Sequence, residues 1–257
     1  MEYPFDNPHA DIDSQVRGLS SDIQDSKAIR QARAQTPSVD AYAALGRALS
    51  RQLRYREAIE AYTAGLALDS ENLPLLRLRA GRYLTTLQTD SAIRDFEKCL
   101  SLGAERLDCL YRMGIAYYYA GRYYAAMKCM EDCMPLCDDE MGIAVIYWHT
   151  LSSVRGGKPS SLLPQYHVGM KVGHHTAYEK AMQVWGGVTP LADALLELEQ
   201  EKDDLEYAIA LYGLLWHTDC VQQNVLQKEL LRRDDFWPCF AYLAAWNDVY
   251  GMTMQRP

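Results

Sequence analysis

Three cysteines occur at equal spacing in the stretch KCMEDCMPLC, at Cys129, Cys133 and Cys137. Thiolates bind structural zinc and form redox pairs, so this spacing raises the question of a metal or redox site. A structural zinc site needs a fourth ligand, which the spacing does not supply. Pro135 is expected to end the helix before Cys137, so the three thiols should not share one helical face. We therefore expect packing roles, because free cysteine behaves as a small apolar residue.

The next candidates for metal chemistry are His174 and His175, with His167 nearby. Adjacent residues on a helix point about 100° apart, so such histidines seldom bind one ion together. The acidic run from Glu197 to Glu206 is typical of solvated helix ends. The sequence contains no glycine-rich phosphate loop, nucleophile elbow or paired metal-ligand motif. These observations predict a protein that is not an enzyme and has no metal or other cofactor.

The composition restricts the class of partner. The chain has 257 residues, 49% of them apolar, and a formal net charge of -8. An acidic protein is a poor partner for nucleic acid or an anionic membrane, and no apolar run approaches the roughly 18 residues of a membrane span. The N-terminal stretch does not resemble a signal peptide, and seven cysteines without a paired pattern fit reduced thiols. The sequence thus predicts a cytoplasmic protein without nucleic-acid or membrane partners.

The chain repeats itself with a period of 34 residues. A shift of this length aligns AYAALGRALSRQLRYREAIEAYTAGLALD with LLRLRAGRYLTTLQTDSAIRDFEKCLSLG and CLYRMGIAYYYAGRYYAAMKCMEDCMPLC without a gap. One slot holds small residues, another holds large ones, and a third again holds small ones. In that order the slots are Gly46, Ala80 and Gly114, then Tyr62, Phe96 and Met130, then Gly65, Cys99 and Cys133.

Each repeat is predicted to form two helices. In the first repeat, Tyr42, Leu45, Gly46 and Leu49 follow the spacing of one apolar helix face. The small slots allow the two helices of a repeat to approach closely, and the large slots fill the space toward the next pair. Because one helix pair cannot bury both of its faces, the repeats are expected to stack.

The 34-residue alternation of small and large residues resembles the tetratricopeptide repeat family. Three units carry the resemblance, at residues 39–72, 73–106 and 107–140. The resemblance implies an all-α fold, a right-handed α-solenoid of stacked antiparallel helix pairs. Cys133 occupies the same small-residue slot as Gly65, which supports a packing role for this thiol.

The organisation outside these units is less regular. Residues 1–38 are predicted to form a leader that is disordered to about residue 18, with a polar helix between about residues 20 and 35. Residues 39–140 hold the three regular units. Residues 141–257 are predicted to hold degenerate helix pairs and a C-terminal capping helix, with a broken second helix after residue 155.

The resemblance also implies a ligand groove, because one face of the first helix in each unit lines the concave surface in that family. The matching positions are Arg47, Arg51, Arg77, Tyr111, Tyr118, Tyr119 and His149. A basic end beside an aromatic end suits a segment with a carboxylate or acidic side chains and an apolar anchor. Family members that grip a terminal carboxylate use an asparagine that is missing here. The alternative is that the arginines only make the surface soluble.

Three functions remain open from the sequence. The first is a scaffold or adaptor that binds a protein or peptide, including an acidic segment or one with a free carboxylate, in the groove. The second is a regulator of the same repeat class that senses a small peptide. The third is a metal-binding protein or enzyme that uses the irregular region 155–190.

Overall fold

A computed structural model of the chain describes residues 12–17 and 24–251. Every regular element in these residues is helical, which confirms the predicted all-α class. The chain divides into two compact units, Met1–Arg112 and Met113–Pro257. The right-handed course of the solenoid, and the division into a leader, 39–140 and 141–257, stay predictions.

The first unit consists of helix pairs in chain order. Its helices are α1 (Ile12–Arg17), α2 (Lys27–Arg33), α3 (Val39–Arg51), α4 (Tyr55–Leu68), α5 (Leu73–Thr85), α6 (Thr89–Ser101) and the start of α7 (Arg106–Tyr119). Each helix from α2 to α5 packs against the next one along the chain. Ser38 and Asn72 accept hydrogen bonds from the first turns of α3 and α5, so both helices begin at a side-chain cap.

The repeated small and large slots meet within one repeat, whereas the sequence analysis placed the large residues toward the next helix pair. A Cβ atom built on Gly46 would lie 2.1 Å from Cε1 of Tyr62, so α3 and α4 approach too closely for any side chain at residue 46. In the third repeat, a Cβ on Gly114 would lie 2.5 Å from Cε of Met130. The small slot in the first helix of a repeat therefore receives the large side chain of the second helix.

The turn between the two helices of a repeat also recurs. Leu53 and Leu87 have φ angles of 60° and 57°, and Gly121 has a φ of 71°. These residues are spaced by the period of the repeat, and all three lie just after the first helix. The left-handed conformation is costly for a leucine, so the closely packed helices on either side must hold it in place.

Part of the leader is ordered, contrary to the prediction of disorder to about residue 18. In α1, Val16 is buried and the Gln15 Oε1 atom accepts a 2.7 Å hydrogen bond from the backbone N–H of Tyr55. The Arg56 guanidinium donates to the carbonyl oxygens of Gln15 and Val16. The predicted polar helix is α2, capped by Ser26. Residues 1–11 and 18–23, which the prediction also covers, lie outside the described residues.

The second unit contains the end of α7 and the remaining helices. They are α8 (Tyr123–Cys133), α9 (Asp139–Arg155), α10 (Thr176–Trp185), α11 (Leu191–Leu198), α12 (Asp204–Leu215), α13 (Cys220–Arg232) and α14 (Phe240–Trp246). The helix α9 packs against α8 and α10, and α12 packs against α10, α13 and α14. A π-helical turn, Asn247–Gly251, follows α14.

Regularity decreases after α9, as predicted. Only a 3-10 turn, Leu163–Gln165, lies between α9 and α10, so the second helix of the fourth pair is absent from this described stretch. The helices α10 and α11 pack against each other only in part. Because α11 has eight residues, α10 packs mainly on α12 instead. None of the described helices is long and apolar enough to cross a membrane.

The core of the second unit surrounds α9. Every residue from Gly142 to Ser153 is buried, including the polar residues His149 and Ser152. A helix that is buried on all sides is enclosed by its neighbours. It therefore offers no open face to a ligand along this stretch.

Candidate ligand pocket

Five arginines line one pocket of about 360 Å³ in the first unit, which we call the arginine pocket. They are Arg47, Arg51, Arg77, Arg82 and Arg112. The other lining residues are Ser50, Tyr62, Leu78 and Gly81, so no acidic side chain lines this pocket. A cluster of guanidinium groups of this kind fits an anionic ligand.

The first helices of successive repeats supply these arginines. Arg47 and Arg51 are one helical turn apart on α3, so both lie on one face. Arg77 and Arg82 lie on α5, and Arg112 lies on α7. Stacked helices therefore concentrate cations that are up to 65 residues apart in the sequence.

Two of the five arginines share one carboxylate. Asp108 accepts a 2.8 Å hydrogen bond from Nε of Arg77 and another of 2.8 Å from Nε of Arg112. Burial would raise the pKa of Asp108, but these two hydrogen bonds outweigh it and hold the pKa below its usual value. Asp108 is thus ionised near neutral pH and is shared by Arg77 and Arg112.

The other three arginines have no carboxylate partner in the part of the chain that the structure describes. Within residues 12–17 and 24–251, neither Arg47 nor Arg51 forms an ion pair, and both are exposed. Arg82 lies over the ring of Tyr55 at 4.6 Å from its centroid, a cation–π contact that leaves the charge uncompensated. Burial raises the pKa of Tyr62, whose hydroxyl lies near Arg82 and Arg47, so this phenol stays protonated.

Two other arginines of the first unit, Arg79 and Arg54, are paired with carboxylates. Arg79 forms two hydrogen bonds, of 2.7 and 2.8 Å, to the carboxylate of Asp95 and so fastens α5 to α6. Arg54 forms ion pairs with Asp25 and Glu57. These pairs connect elements of the fold, whereas the arginine pocket keeps an excess of positive charge.

Gly81 leaves open space at the arginine pocket. No atom lies within 4 Å of a Cβ built on this residue, in contrast to the 2.1 Å approach at Gly46. Gly81 lies within α5 and has an ordinary helical φ, so its backbone does not require glycine. The missing side chain therefore adds room beside the arginines.

The structure brings together part of the predicted groove. Arg47, Arg51 and Arg77 line the arginine pocket, whereas the half-buried Tyr111 does not. Arg82 and Arg112 were missed because the family positions carried over did not include them. One signal was available, because Arg112 takes the repeat position of Leu78, which also lines the pocket.

Tyr118 and Tyr119 instead line a second pocket of about 350 Å³, which we call the Arg155 pocket. It belongs to the second unit and is also lined by Arg155, Trp216 and Asp248. The Arg155 guanidinium lies 4.4 Å from the ring centroid of Trp216 and 5.1 Å from that of Tyr118. The predicted basic and aromatic ends of one groove are thus found in two pockets, one in each unit.

The charge in the Arg155 pocket is compensated. Arg155 forms a 2.6 Å ion pair with Asp248, and the Tyr212 hydroxyl donates a 2.8 Å hydrogen bond to the same carboxylate. The hydroxyl groups of Tyr118 and Tyr212 lie 2.8 Å apart. Burial raises the pKa of Tyr212, so its hydroxyl remains a donor. This network connects α7, α9 and α12 to the turn after α14.

Tyr118, Tyr119 and His149 are buried, which corrects their predicted place on an open groove face. The Tyr119 hydroxyl donates to the carbonyl oxygen of Phe240. His149 contacts Ser160 through Nδ1 at 2.8 Å and Ser161 through Nε2 at 3.2 Å. These contacts hold the irregular segment after α9 against that helix. Burial lowers the pKa of His149, although Glu131 opposes the shift.

The candidate metal residues of the sequence have packing and anchoring contacts. Cys129 and Cys133 are buried in α8, Cys137 is half-buried, and all seven cysteines are thiols. The backbone N–H of His174 donates to Oε1 of Glu140, whereas the His175 ring contacts the carbonyl oxygen of that residue. The two adjacent histidines therefore contact different atoms of Glu140.

Comparison with known proteins supports the repeat. Residues 39–72 match a family model described as Tetratricopeptide repeat. A solved structure titled "Crystal structure of YrrB: a TPR protein with an unusual peptide-binding site" is 13% identical, with a TM-score of 0.46. That alignment covers 88% of this chain and 99% of the other. No curated protein matches the chain. The helix pair α3–α4 at residues 39–72 is therefore a tetratricopeptide repeat.

Proposed function

We propose that this protein is a cytoplasmic scaffold or adaptor that binds an acidic segment of another protein in the arginine pocket. The ligand is a peptide or a protein segment that carries carboxylates or another anionic group. The arginines meet its negative charge, and the protein performs no reaction on it.

The observation that carries this proposal is the imbalance of charge in the pocket. Five guanidinium groups line the pocket. The carboxylate of Asp108 accepts hydrogen bonds from two of them, those of Arg77 and Arg112. The whole chain is acidic, so a local excess of arginine does not follow from composition. Exposed charges contribute about 0 to 1 kcal/mol to folding, so stability gives no reason for this concentration of cations.

The repeat type agrees with this proposal. Proteins built from tetratricopeptide repeats bind proteins or peptides on the first helices of their units. Here the helices α3, α5 and α7 supply the pocket's arginines. The seven thiols fit a reducing compartment such as the cytoplasm.

The test uses two labelled peptides of equal length, one alternating glutamate with leucine and one alternating lysine with leucine. We expect fluorescence polarisation to show binding of the glutamate peptide only. Binding should weaken as sodium chloride rises from about 50 to about 300 mM, because salt screens exposed charge. Changing Arg47, Arg51 and Arg77 together to glutamate should weaken it by more than about tenfold, since charge-assisted contacts are worth a few kcal/mol.

A matched variant separates the pocket from total charge. Arg30, Arg94 and Arg106 are exposed arginines of the same unit that do not line the arginine pocket. Changing these three to glutamate alters the net charge equally and should leave binding nearly unchanged. Equal losses in both triple variants, or tight binding by the pocket variant, would show that the ligand binds elsewhere.

A further inference from the structure

The arginine pocket holds more positive charge than one carboxylate side chain can balance. Arg47, Arg51 and Arg82 have no carboxylate partner among the described residues, whereas Arg77 and Arg112 share Asp108. A phosphate monoester carries about -1.5 to -2 charges near pH 7 and has three strong acceptor oxygens. Its charge and its number of acceptors match this set of donors better than a carboxylate does.

The type of cation also favours a phosphate over a carboxylate. All five charged residues of the pocket are arginines and none is lysine. A guanidinium group presents several N–H donors in a planar fork that can bind two oxygens of one phosphate. Ser50 and the protonated hydroxyl of Tyr62 add neutral donors, with their oxygens 3.5 Å apart.

The pocket also has space for a tetrahedral group. Its volume is about 360 Å³, and Gly81 contributes no side chain to it. A phosphate attached to a side chain can therefore enter between α3 and α5 without displacing a packed residue. The open position at Gly81 also supplies a variant that fills the pocket without changing its charge.

We propose that the arginine pocket is a phosphate-ester site that recognises a phosphorylated side chain in a partner protein. This inference rests on the proposed function, since it names the anionic group of the same peptide ligand. It adds a condition, because the partner would bind tightly only after phosphorylation.

The observations favour a phosphorylated protein over nucleic acid. The first unit has 15 Lys and Arg residues against 16 Asp and Glu residues, so it is nearly neutral as a whole, and five of its cations line one pocket. A nucleic acid backbone carries a charge every few ångströms and rewards an extended basic track. The pocket's tyrosine, Tyr62, is 1% exposed and offers no open face for stacking a base.

The experiment compares three degenerate nonapeptide pools with the full-length protein. The central residue is phosphoserine, glutamate or serine, and the flanking positions are identical mixtures. We expect the phosphoserine pool to bind at least about tenfold more tightly than the glutamate pool and the serine pool to bind weakly. A fourth pool with phosphotyrosine tests which phosphorylated side chain fits.

The dependence on pH gives an independent signature. The second pKa of a phosphate monoester is about 6, so binding of the phosphoserine pool should tighten several-fold between pH 5 and 7.5. Glutamate is already ionised over most of this range, so binding of the glutamate pool should change less. A similar pH profile for both pools would argue against recognition of the dianion.

Two variants link the preference to the pocket. Gly81→Leu should abolish the preference for phosphoserine because it fills the open space, whereas Gly81→Ala should retain most of it. Arg82→Lys keeps the charge but removes the fork, so it should reduce the ratio of phosphoserine to glutamate binding. The matched change Arg94→Lys, on an exposed residue outside the pocket, should leave that ratio unchanged.

The outcomes separate this inference from the proposed function. Equal affinity for the phosphoserine and glutamate pools would overturn the phosphate-ester site and leave an acidic-segment site in place. Failure of every acidic pool to bind would overturn both. A single-stranded oligonucleotide or a phosphoinositide vesicle that competes at lower phosphate concentration than the phosphopeptides would overturn the assignment to a protein partner.

Discussion

The two pockets have nearly the same volume but differ in whether carboxylates compensate their positive charge. In the arginine pocket, exposed residues such as Arg47 and Arg51 have no carboxylate partner within the described part of the chain. In the Arg155 pocket, one guanidinium is buried among aromatic rings and paired with Asp248. The first arrangement leaves its charge available to a ligand, whereas the second uses its charge within the fold.

This difference distinguishes arginines whose charge is available to a ligand from an arginine whose charge is paired within the fold. A buried ion pair can be removed only at high cost because the remaining charge is left without a partner. Exposed cations at one site repel each other and add little to folding, so a ligand is the simplest reason for bringing them together. The comparison supports our proposal that the arginine pocket binds a ligand, whereas the network of the Arg155 pocket connects elements of the fold.

The strongest test changes the carboxylate in each pocket. Asp248→Asn keeps the shape of the side chain but leaves Arg155 without its counterion, so we expect a loss of about 3 to 5 kcal/mol of unfolding free energy. Asp108→Asn affects partly exposed pairs and should cost less than about 1 kcal/mol. Urea unfolding followed by tryptophan fluorescence reports the second unit, since all five tryptophans lie after Met113.

Far-UV circular dichroism follows both units in the same titrations and reports the effect of Asp108→Asn. If Asp248→Asn unfolds at the urea concentration of the wild type, the Arg155 pair does not stabilise the fold. The contrast between the two pockets would then be wrong.

Two helical glycines give the next test, one lining the arginine pocket and one in the core of the second unit. A Cβ on Gly213 would lie 2.5 Å from Cε2 of Tyr147 and 2.6 Å from Cβ of Ala181, whereas the position at Gly81 is open. Gly213→Ala should therefore destabilise the second unit by about 1 to 3 kcal/mol through overpacking. Gly81→Ala should stabilise the first unit by about 0.5 to 1 kcal/mol, because alanine favours a helix over glycine.

Thermal melts of the two alanine variants measure both effects with the same substitution. Opposite shifts in melting temperature would support an open arginine pocket and a closely packed core in the second unit. A melting temperature that falls for Gly81→Ala would mean that the space beside α5 is filled.

The smallest expected effect depends on pH and concerns His149. Folding lowers the pKa of this histidine through burial, with Glu131 as an opposing neighbour. As the pH falls through the ordinary histidine range, the unfolded chain therefore takes up a proton that the folded chain resists. The second unit should lose at most about 1.4 kcal/mol per pH unit from this residue between pH 7 and 5.

His149→Gln removes this titration and supplies the comparison. Its unfolding free energy, followed by tryptophan fluorescence, should fall less steeply than that of the wild type over the same pH range. Identical slopes for the two proteins would show that His149 is as readily protonated in the folded state as in the unfolded state.

The repeat itself could be predicted because its signal is local. The small slot at Gly46 and the large slot at Tyr62 are separated by a fixed number of residues, and helix periodicity places them face to face. The same reasoning placed Cys133 in a buried slot and anticipated α9 and the broken segment after it. Each of these predictions depends on residues close in the chain.

The site was only partly predictable because its residues come from different helices that are far apart in the sequence. Carrying over family positions found Arg47, Arg51 and Arg77 but omitted Arg82 and Arg112. It also placed Tyr118 on an open surface. That prediction assumed that the irregular C-terminal helices would leave the face of α7 uncovered, but Tyr212 and Asp248 pack close to this tyrosine.

The sequence alone determined the helical class, the 34-residue period and the residues that allow helices to pack closely, because these depend on side-chain size and helix periodicity. Only the tertiary structure decided which charges are compensated. Arg155 and Asp248 are 93 residues apart in the sequence, and no local pattern indicates that they form a pair. Burial favours that pairing, whereas the exposed Arg47 and Arg51 have no ion-pair partner within the described residues because water can solvate their charges.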